Sequence, residues 1–513
     1  MNGNDAAGRL MDFPAEWARQ ELFAAADGRL TYAEAREGML AYAGCLSDSL
    51  GCRPGERIAI CLPKSLETLL AILGLLAIGA VYVPLQYLGP PARLAAILAS
   101  LRPTLLITTA EKATRIRAAD GGATAAIRTI EIANEDDGLA ALKRGIPAAR
   151  TIAEVSPEDL AVIYFTSGST GEPKGVMWSQ RGMTASIAAL NQWRRMTGAD
   201  RLISISGLHY SASCEVFYPL PTGASIYLGG DHETMFGDRL AAVLERERTT
   251  IWSAAATGLR MLVESGNLPQ RDLRALRRVE IFGERMSIPA LRAAMDALPH
   301  AEFHNLYAAS EAFDMIEYPI PRPLGADVTT LPLGRPSPVY RLSLRDENGL
   351  EVAPGEPGEI CAIGPPVTMG YWNDPALSAA KRLKGVPDSY RTGDLAIQGD
   401  DGLIHLIGRR DQMVKLRGQR LDLGEIEAVA KSEPRVREAV AVSLPAPNDG
   451  NEVVLAVLAR EDSAGLESEL HRICRDRLPS FARPGRIAIF DEFPQLSSGK
   501  IDRRALEQRL ARI

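Results

Sequence analysis

From Thr166 to Gly175 the chain reads Thr-Ser-Gly-Ser-Thr-Gly-Glu-Pro-Lys-Gly. Gly168, Gly171 and Gly175 let the backbone come close to an anion and turn its N–H groups toward it. Thr166, Ser167, Ser169 and Thr170 add hydroxyl donors, and Lys174 adds a mobile positive charge. This set of residues is suited to holding phosphate. A plain surface hairpin needs only one or two turn residues, far fewer than stand here. The spacing is not that of the Walker loop GxxxxGK[ST], so a different phosphate-binding geometry is implied.

A loop of this kind needs rigid elements around it. The apolar run Leu160 to Phe165 reads as a buried strand leading in, and Thr184 to Arg195 as a helix that follows. Upstream, Ala33 to Leu50 has an amphipathic helical pattern, Arg57 to Cys61 is strand-like, Leu66 to Ile78 is an apolar helix and Thr104 to Thr108 a strand. Helices alternating with short β-rich runs predict parallel sheets covered by helices, an α/β fold. Thr68 to Ala92 carries no charge over 25 residues, a length that could span a bilayer. Gly79, the strand-like Val81 to Leu85 and the breaker Gly89-Pro90-Pro91 instead divide it into a buried helix and a buried strand.

With 513 residues, two or more domains are expected. The formal charge of -6 is spread without a long run of one sign, giving no electrostatic footprint for nucleic acid or a membrane surface. Six cysteines, at 45, 52, 61, 214, 361 and 474, form no CxxC pair and have no His neighbours at metal spacing, which argues against a zinc site or a disulfide framework. The start Met-Asn-Gly-Asn-Asp lacks the basic and apolar regions of a signal peptide. A cytoplasmic protein is expected.

The loop's order of residues resembles the phosphate loop of adenylate-forming enzymes, the superfamily of acyl-CoA ligases, luciferases and peptide-synthetase adenylation domains. Further phrases carry the likeness: Ala80-Val-Tyr-Val-Pro-Leu85, Asn305-Leu-Tyr-Ala-Ala-Ser-Glu311, Tyr390-Arg-Thr-Gly-Asp394, Gly408-Arg-Arg-Asp411 and Pro494-Gln-Leu-Ser-Ser-Gly-Lys500. The first, with Pro91-Ala-Arg-Leu94 after it, is similar to peptide-synthetase domains, and acyl-CoA ligases usually differ there. The resemblance implies a large N-terminal domain, residues 1–408, of parallel-sheet α/β subdomains plus a small β-barrel-like part. A small mobile α+β lid, residues 409–513, would turn on a hinge at Asp411.

It also implies ATP and Mg²⁺, with acyl-AMP or AMP as bound product. Thr166, Ser167, Gly168, Ser169, Thr170, Gly171 and Lys174 would hold the outer phosphates, with Tyr307 stacked on adenine and Gly283 and Glu284 on its other side. Ser310 would donate to the α-phosphate, Glu311 would bind Mg²⁺, and Asp394 and Arg409 would meet the ribose. Lys500 would swing in to stabilise the pentavalent phosphorus, and Lys415 would face the site after the lid turns. Attack of one anion on another calls for positioning and charge compensation rather than proton removal.

The acyl pocket departs from the pattern of amino-acid activators. Where those carry an aspartate for the substrate ammonium, this chain has Tyr210, which cannot neutralise an ammonium. His209, Cys214 and Asp314 are the other pocket candidates by family spacing, and Asp314 is a candidate replacement acid. His209 is equally readable as a packed core histidine, and Asp314 as a loop aspartate. No carrier-protein signature occurs in the chain, so transfer of an amino or small carboxylic acid to a separate acyl or peptidyl carrier protein is the first expectation. An aryl- or acyl-CoA ligase is the second. A non-catalytic nucleotide-sensing scaffold is the third, and it would be expected to lack Lys500, Glu311 or the phosphate loop.

Overall fold

The structure is a computed structural model that describes residues 6–132, 138–166, 173–283, 286–409, 413–416, 419–446, 450–459, 464–494 and 501–512. The uncharged stretch behaves as its breakers demand. In the helix Leu66–Ala77 every residue except Glu67 is buried, and Ser65 caps its start by accepting from the Thr68 N–H. Gly79, at φ +70°, ends the turn and starts the buried strand Val81–Pro84. Among the described residues no helix is long and apolar enough to cross a membrane.

Among the described residues up to Arg409, two large sheets organise the chain. One has seven strands, in which Leu160–Thr166, Val81–Pro84, Arg57–Cys61, Leu105–Thr109 and Thr129–Ile132 run parallel side by side. Lys174–Ser179 and the short Gly370–Tyr371 add an antiparallel edge. The other sheet has nine strands with a parallel centre that includes Arg201–Ser204, Ile251–Ala255, Arg278–Phe282 and Glu302–Ala309. One apolar core takes residues from both, among them Phe23 and Ile226 of the second sheet and Ile58 and Val162 of the first. The helices Leu66–Ala77 and Gln180–Arg194 contribute to the same core. The alternation of helix and short strand in the sequence is this α/β layering.

An antiparallel sheet of Arg341–Arg345, Gly358–Ile363, Ser389–Gln398 and Ile404–Arg409 closes its inner face on Tyr307, Ala312 and Ile316. The C-terminal unit has a hairpin, Met413–Leu416 with Gln419–Asp422, and a sheet of Val436–Ala446, Gly450–Ala459 and Arg486–Phe490. The helices Leu423–Lys431 and Leu466–Arg477 pack in one apolar cluster of this unit, and the helix Arg503–Leu510 packs in another.

Local boundaries shift where a cap decides them. The helix expected from Thr184 begins at Gln180, because the Ser179 hydroxyl accepts from the Gly182 N–H at 3.1 Å. The helix expected over Ala33 to Leu50 keeps α geometry only from Tyr32 to Gly44, and a π turn, Cys45–Ser49, carries the chain onward. None of the six cysteines forms a disulfide, and all are buried.

Candidate active site

The strands flanking the phosphate-loop sequence form an antiparallel pair, with Thr166 opposite Lys174 and Phe165 opposite Gly175. Thr166 Oγ1 donates to the Lys174 carbonyl at 3.5 Å, so the two ends of the loop are held together. Ser167, Gly168, Ser169, Thr170 and Gly171 lie outside the described residues. Gly175 leaves no room for a side chain: a Cβ would sit 2.9 Å from Ile163 Cγ2 and 3.0 Å from Trp372 Cβ. Its carbonyl accepts from the Trp372 N–H at 2.7 Å.

Tyr307 lies near the end of Glu302–Ala309, beside Arg278–Phe282, with Leu306 opposite Phe282. Gly283, at φ +89°, follows directly, so both residues are at the carboxyl edge of parallel strands, where α/β sheets bind ligands. Glu284 lies outside the described residues. The Tyr307 hydroxyl donates to Asp394, and Arg409 pairs with the other oxygen of that carboxylate. Strand register brings them together, because Asp394 and Arg409 face each other in the antiparallel pair. Burial, reinforced by the Asp394 charge, pushes the Tyr307 phenol well above its ordinary value, so it remains a donor. A carboxylate offers about four acceptor positions. Tyr307 and Arg409 each take one, leaving capacity for two hydroxyl donors.

Glu311 is 3% exposed, and the Tyr371 hydroxyl donates to its Oε1 at 2.8 Å. Its backbone carbonyl accepts from the Thr368 N–H at 2.8 Å, and the Thr368 hydroxyl donates to the Met177 carbonyl at 2.7 Å. Tyr371 pairs with Val176. These links tie Glu311 to the strand that begins at Lys174. Ser310 is held from two sides, its carbonyl accepting from Trp178 Nε1 at 3.0 Å and its hydroxyl accepting from Ser211 at 3.2 Å. Among the described residues no three His, Cys, Asp or Glu side chains cluster as metal ligands. A single buried carboxylate is nonetheless a hard oxygen ligand, and it suits a Mg²⁺ held mainly by phosphate oxygens and water.

Tyr210 precedes the 3₁₀ segment Ser211–Phe217, which buries Cys214 completely. The His209 ring lies 3.9 Å from the Tyr210 ring between centroids. Burial, with Lys64 and Arg93 adding to it, lowers His209 to about 3, so the ring is neutral. Burial raises the Tyr210 phenol to about 12, against a hydrogen bond with Gln419 of the C-terminal unit. Burial also raises the Cys214 thiol, with the charges of Asp314 and Glu215 adding to it. Asp314 stands opposite Ala308 in the antiparallel pair that starts past Glu311. Asp411 and Lys500 lie outside the described residues, as does the side chain of Lys415, whose backbone is in Met413–Leu416.

Several supporting residues had no sequence signal of their own. Nothing in the sequence around Tyr371 said that it would hold Glu311. Lys64, in an ordinary Pro-Lys-Ser, donates to the Ser204 and Ser206 carbonyls at 3.0 and 3.2 Å and so fixes the strand end that carries His209 and Tyr210. Arg93 and Glu425 form an ion pair across 332 residues of chain. Lysines and arginines between helices read as solvated until the fold buries them.

The family profile described as "AMP-binding enzyme" matches residues 11–372, and that described as "AMP-binding enzyme C-terminal domain" matches residues 425–500. An L-proline--[L-prolyl-carrier protein] ligase of Streptomyces coelicolor is 32% identical over 516 residues, covering 96% of this chain and 94% of that protein. Phenyloxazoline synthase MbtB of Mycolicibacterium paratuberculosis is 31% identical over 95% of this chain, which spans only 40% of that protein's length. Among solved structures, amide bond synthetase McbA from Marinactinospora thermotolerans superposes with a TM-score of 0.86 at 26% identity, covering 98% of this chain and 99% of that one.

Proposed function

The chain belongs to the AMP-binding enzyme family, and we propose that it is an adenylate-forming ligase that activates an amino acid or small carboxylic acid with ATP and passes it to the phosphopantetheine thiol of a separate carrier protein. The observation that carries this reading is the convergence of Tyr307 and Arg409 on the Asp394 carboxylate. Glu311 and Ser310 are fastened beside them to the strand that begins at Lys174.

A substrate carboxylate oxygen attacks the α-phosphorus of ATP, the bond to the β-phosphate oxygen breaks, and pyrophosphate leaves with that electron pair. Lys174 and the hydroxyls of Thr166, Ser167, Ser169 and Thr170 hold the outer phosphates, together with the N–H groups of Gly168 and Gly171. Tyr307 and the segment Gly283-Glu284 hold the adenine, Asp394 and Arg409 the ribose, and Ser310 the α-phosphate. Mg²⁺, with Glu311 as its protein ligand, supplies neutralisation of phosphate charge when bound. Lys500 lowers the barrier by meeting the charge that develops at phosphorus. The product is a mixed anhydride of the acid and AMP.

A thiolate then attacks the acyl carbon, the acyl–oxygen bond breaks and AMP leaves. Residues 1–408 act as the core and 409–513 as a lid pivoting near Asp411, which brings Lys415 to the site for this second step. Carrier transfer is supported by the likeness to the prolyl-carrier ligase over nearly the whole of both chains. His209, Tyr210, Cys214 and Asp314 wall the acid pocket. CoA as the acceptor is the second reading, favoured by a phenol at Tyr210 where an ammonium would need an acid.

Acid-dependent exchange of labelled pyrophosphate into ATP, run over amino, aryl and aliphatic acids, tests the first step. The productive acid is then offered with a phosphopantetheinylated carrier, with CoA and with a free amine. Thioester on the carrier supports the first reading, and thioester on CoA the second. Exchange with no acid would contradict both.

A further inference from the structure

A serine hydroxyl has one hydrogen to give and two lone pairs, so the way a pair of serines points depends on which of them donates. Ser211 Oγ donates to Ser310 Oγ at 3.2 Å, across 99 residues of chain. Both serines are held from behind. Ser211 opens the 3₁₀ segment Ser211–Phe217. The Tyr210 N–H donates to the Gly207 carbonyl at 3.0 Å, the Ser213 N–H to the Tyr210 carbonyl at 2.9 Å and the Ser213 hydroxyl to the Leu208 carbonyl at 2.9 Å. Lys64 fixes the approach to this segment through the Ser204 and Ser206 carbonyls. Gly207 has no room for a side chain, because a Cβ would sit 2.6 Å from His209 Cε1. Ser310 directly follows the strand Glu302–Ala309, and its carbonyl accepts from Trp178 Nε1 at 3.0 Å. The Trp178 ring is itself buried, 3.9 Å from the Phe313 ring between centroids. The contact therefore joins two fixed backbones. At 3.2 Å it is long for a hydroxyl pair, so it directs the Ser310 hydrogen more than it adds stability.

We propose that Ser211 is a positioning residue for Ser310: by donating to the Ser310 oxygen it turns the Ser310 hydrogen away from itself and toward the α-phosphate. This rests on the nucleotide reading given above. A hydroxyl that accepts from a neighbour cannot also donate to that neighbour along the same contact, and it is polarised into a better donor toward its next partner. Without Ser211 the Ser310 hydroxyl would be a free rotor and would have to be ordered each time it met phosphate. Ser211 also stands on the segment that carries Tyr210 and Cys214. Side chains three apart in a 3₁₀ turn eclipse, so Ser211 shares the face of Cys214. One side-chain hydrogen bond thus links the segment that walls the proposed acid pocket to the residue proposed to meet the α-phosphate. An acid seated against that segment acts on the phosphate donor through Ser211.

The test is a double-mutant cycle in the full chain, with AMP and adenosine as probes in titration calorimetry. Ser211→Ala is expected to weaken AMP about 3- to 10-fold and to leave adenosine, which has no phosphate, unchanged. In a Ser310→Ala background the same substitution should change AMP affinity by less than about twofold, because the hydroxyl it orients is gone. Ser211→Thr keeps a hydroxyl at the position and should restore AMP binding to near the wild-type value. A purely structural role for Ser211 would weaken AMP by the same factor in both backgrounds and would weaken adenosine as well. Equal effects in the two backgrounds, or AMP affinity unmoved by Ser211→Ala in the wild type, would overturn the proposal while sparing the nucleotide site. If AMP does not bind the wild type, the nucleotide reading itself fails and takes the proposal with it. Should Ser211→Ala not fold, Ser211→Cys, which keeps the size but is a weak donor, carries the same cycle with the same expected pattern.

Discussion

Replacing Asp394 by asparagine isolates the carboxylate on which the nucleotide site is built. The side chain is 7% exposed and its partner Arg409 16%, so the charge acts in a largely desolvated place. Asparagine keeps the shape and one acceptor but leaves Arg409 without its counter-charge and gives the Tyr307 hydroxyl a weaker acceptor. Loss of a partly buried ion pair of this kind should cost about 1–3 kcal/mol of folding stability. A hydrogen bond from a ribose hydroxyl to a charged acceptor contributes about 1.5–3 kcal/mol more than none, so AMP should bind about 10- to 150-fold more weakly. Calorimetric titration with AMP and chemical denaturation measure the two effects separately. Glu247→Gln is the control. Glu247 is 1% exposed and meets Arg29, Arg201 and Arg246 away from the proposed site, so this variant should lose stability without losing AMP. Equal AMP affinity in wild type and Asp394→Asn, or equal weakening in both variants, would refute the assignment of Asp394 to the ribose.

Other perturbations follow from the same geometry. Tyr371→Phe removes the donor on Glu311 Oε1 and should raise the magnesium concentration needed for half-maximal pyrophosphate exchange several-fold, while Lys174 and its strand stay in place. Gly175→Ala forces a methyl against Ile163 and Trp372 and should cost about 1–3 kcal/mol of stability, read by denaturant midpoint. His209 titrates at about 3 in the folded protein against an ordinary 6.5, so the unfolded chain binds the extra proton and stability falls as pH drops from 6.5 toward 3. His209→Leu should abolish that limb, the wild type losing roughly 2–3 kcal/mol relative to the variant between pH 6.5 and 4.5. Asp411→Pro should slow thioester formation more than adenylate formation, and equal loss in both would count against Asp411 as a hinge.

Much of the core was legible because apolar runs, glycines and caps act locally. Arg57–Cys61 is a strand with the bounds its β-branched pattern implies, and the helix Leu66–Ala77 ends one residue short of expectation, before the Gly79 turn. Of the candidate site, Tyr307, Ser310 and Glu311 could be grouped from the sequence because they lie within five residues of one another, at and just past the end of Glu302–Ala309. The shared carboxylate of Asp394 depends on strand register between Ser389–Gln398 and Ile404–Arg409, which sequence spacing does not give. Contacts such as Tyr371 with Glu311 and Arg93 with Glu425 join segments 60 and 332 residues apart. No local pattern encodes such a pairing, because the cost of burying each charge is decided by its distant partner.

On the proposed mechanism one nucleotide site, completed by Lys500, makes an acyl adenylate. Acid-dependent incorporation of labelled pyrophosphate into ATP, measured for the wild type and for Lys500→Ala with the same productive acid, tests it most directly. Exchange by the wild type and its fall by about 100- to 1,000-fold in the variant are predicted, the loss typical of removing one group that meets developing charge. Undiminished exchange without the lysine would contradict the mechanism, and no exchange in the wild type with any acid would contradict the function.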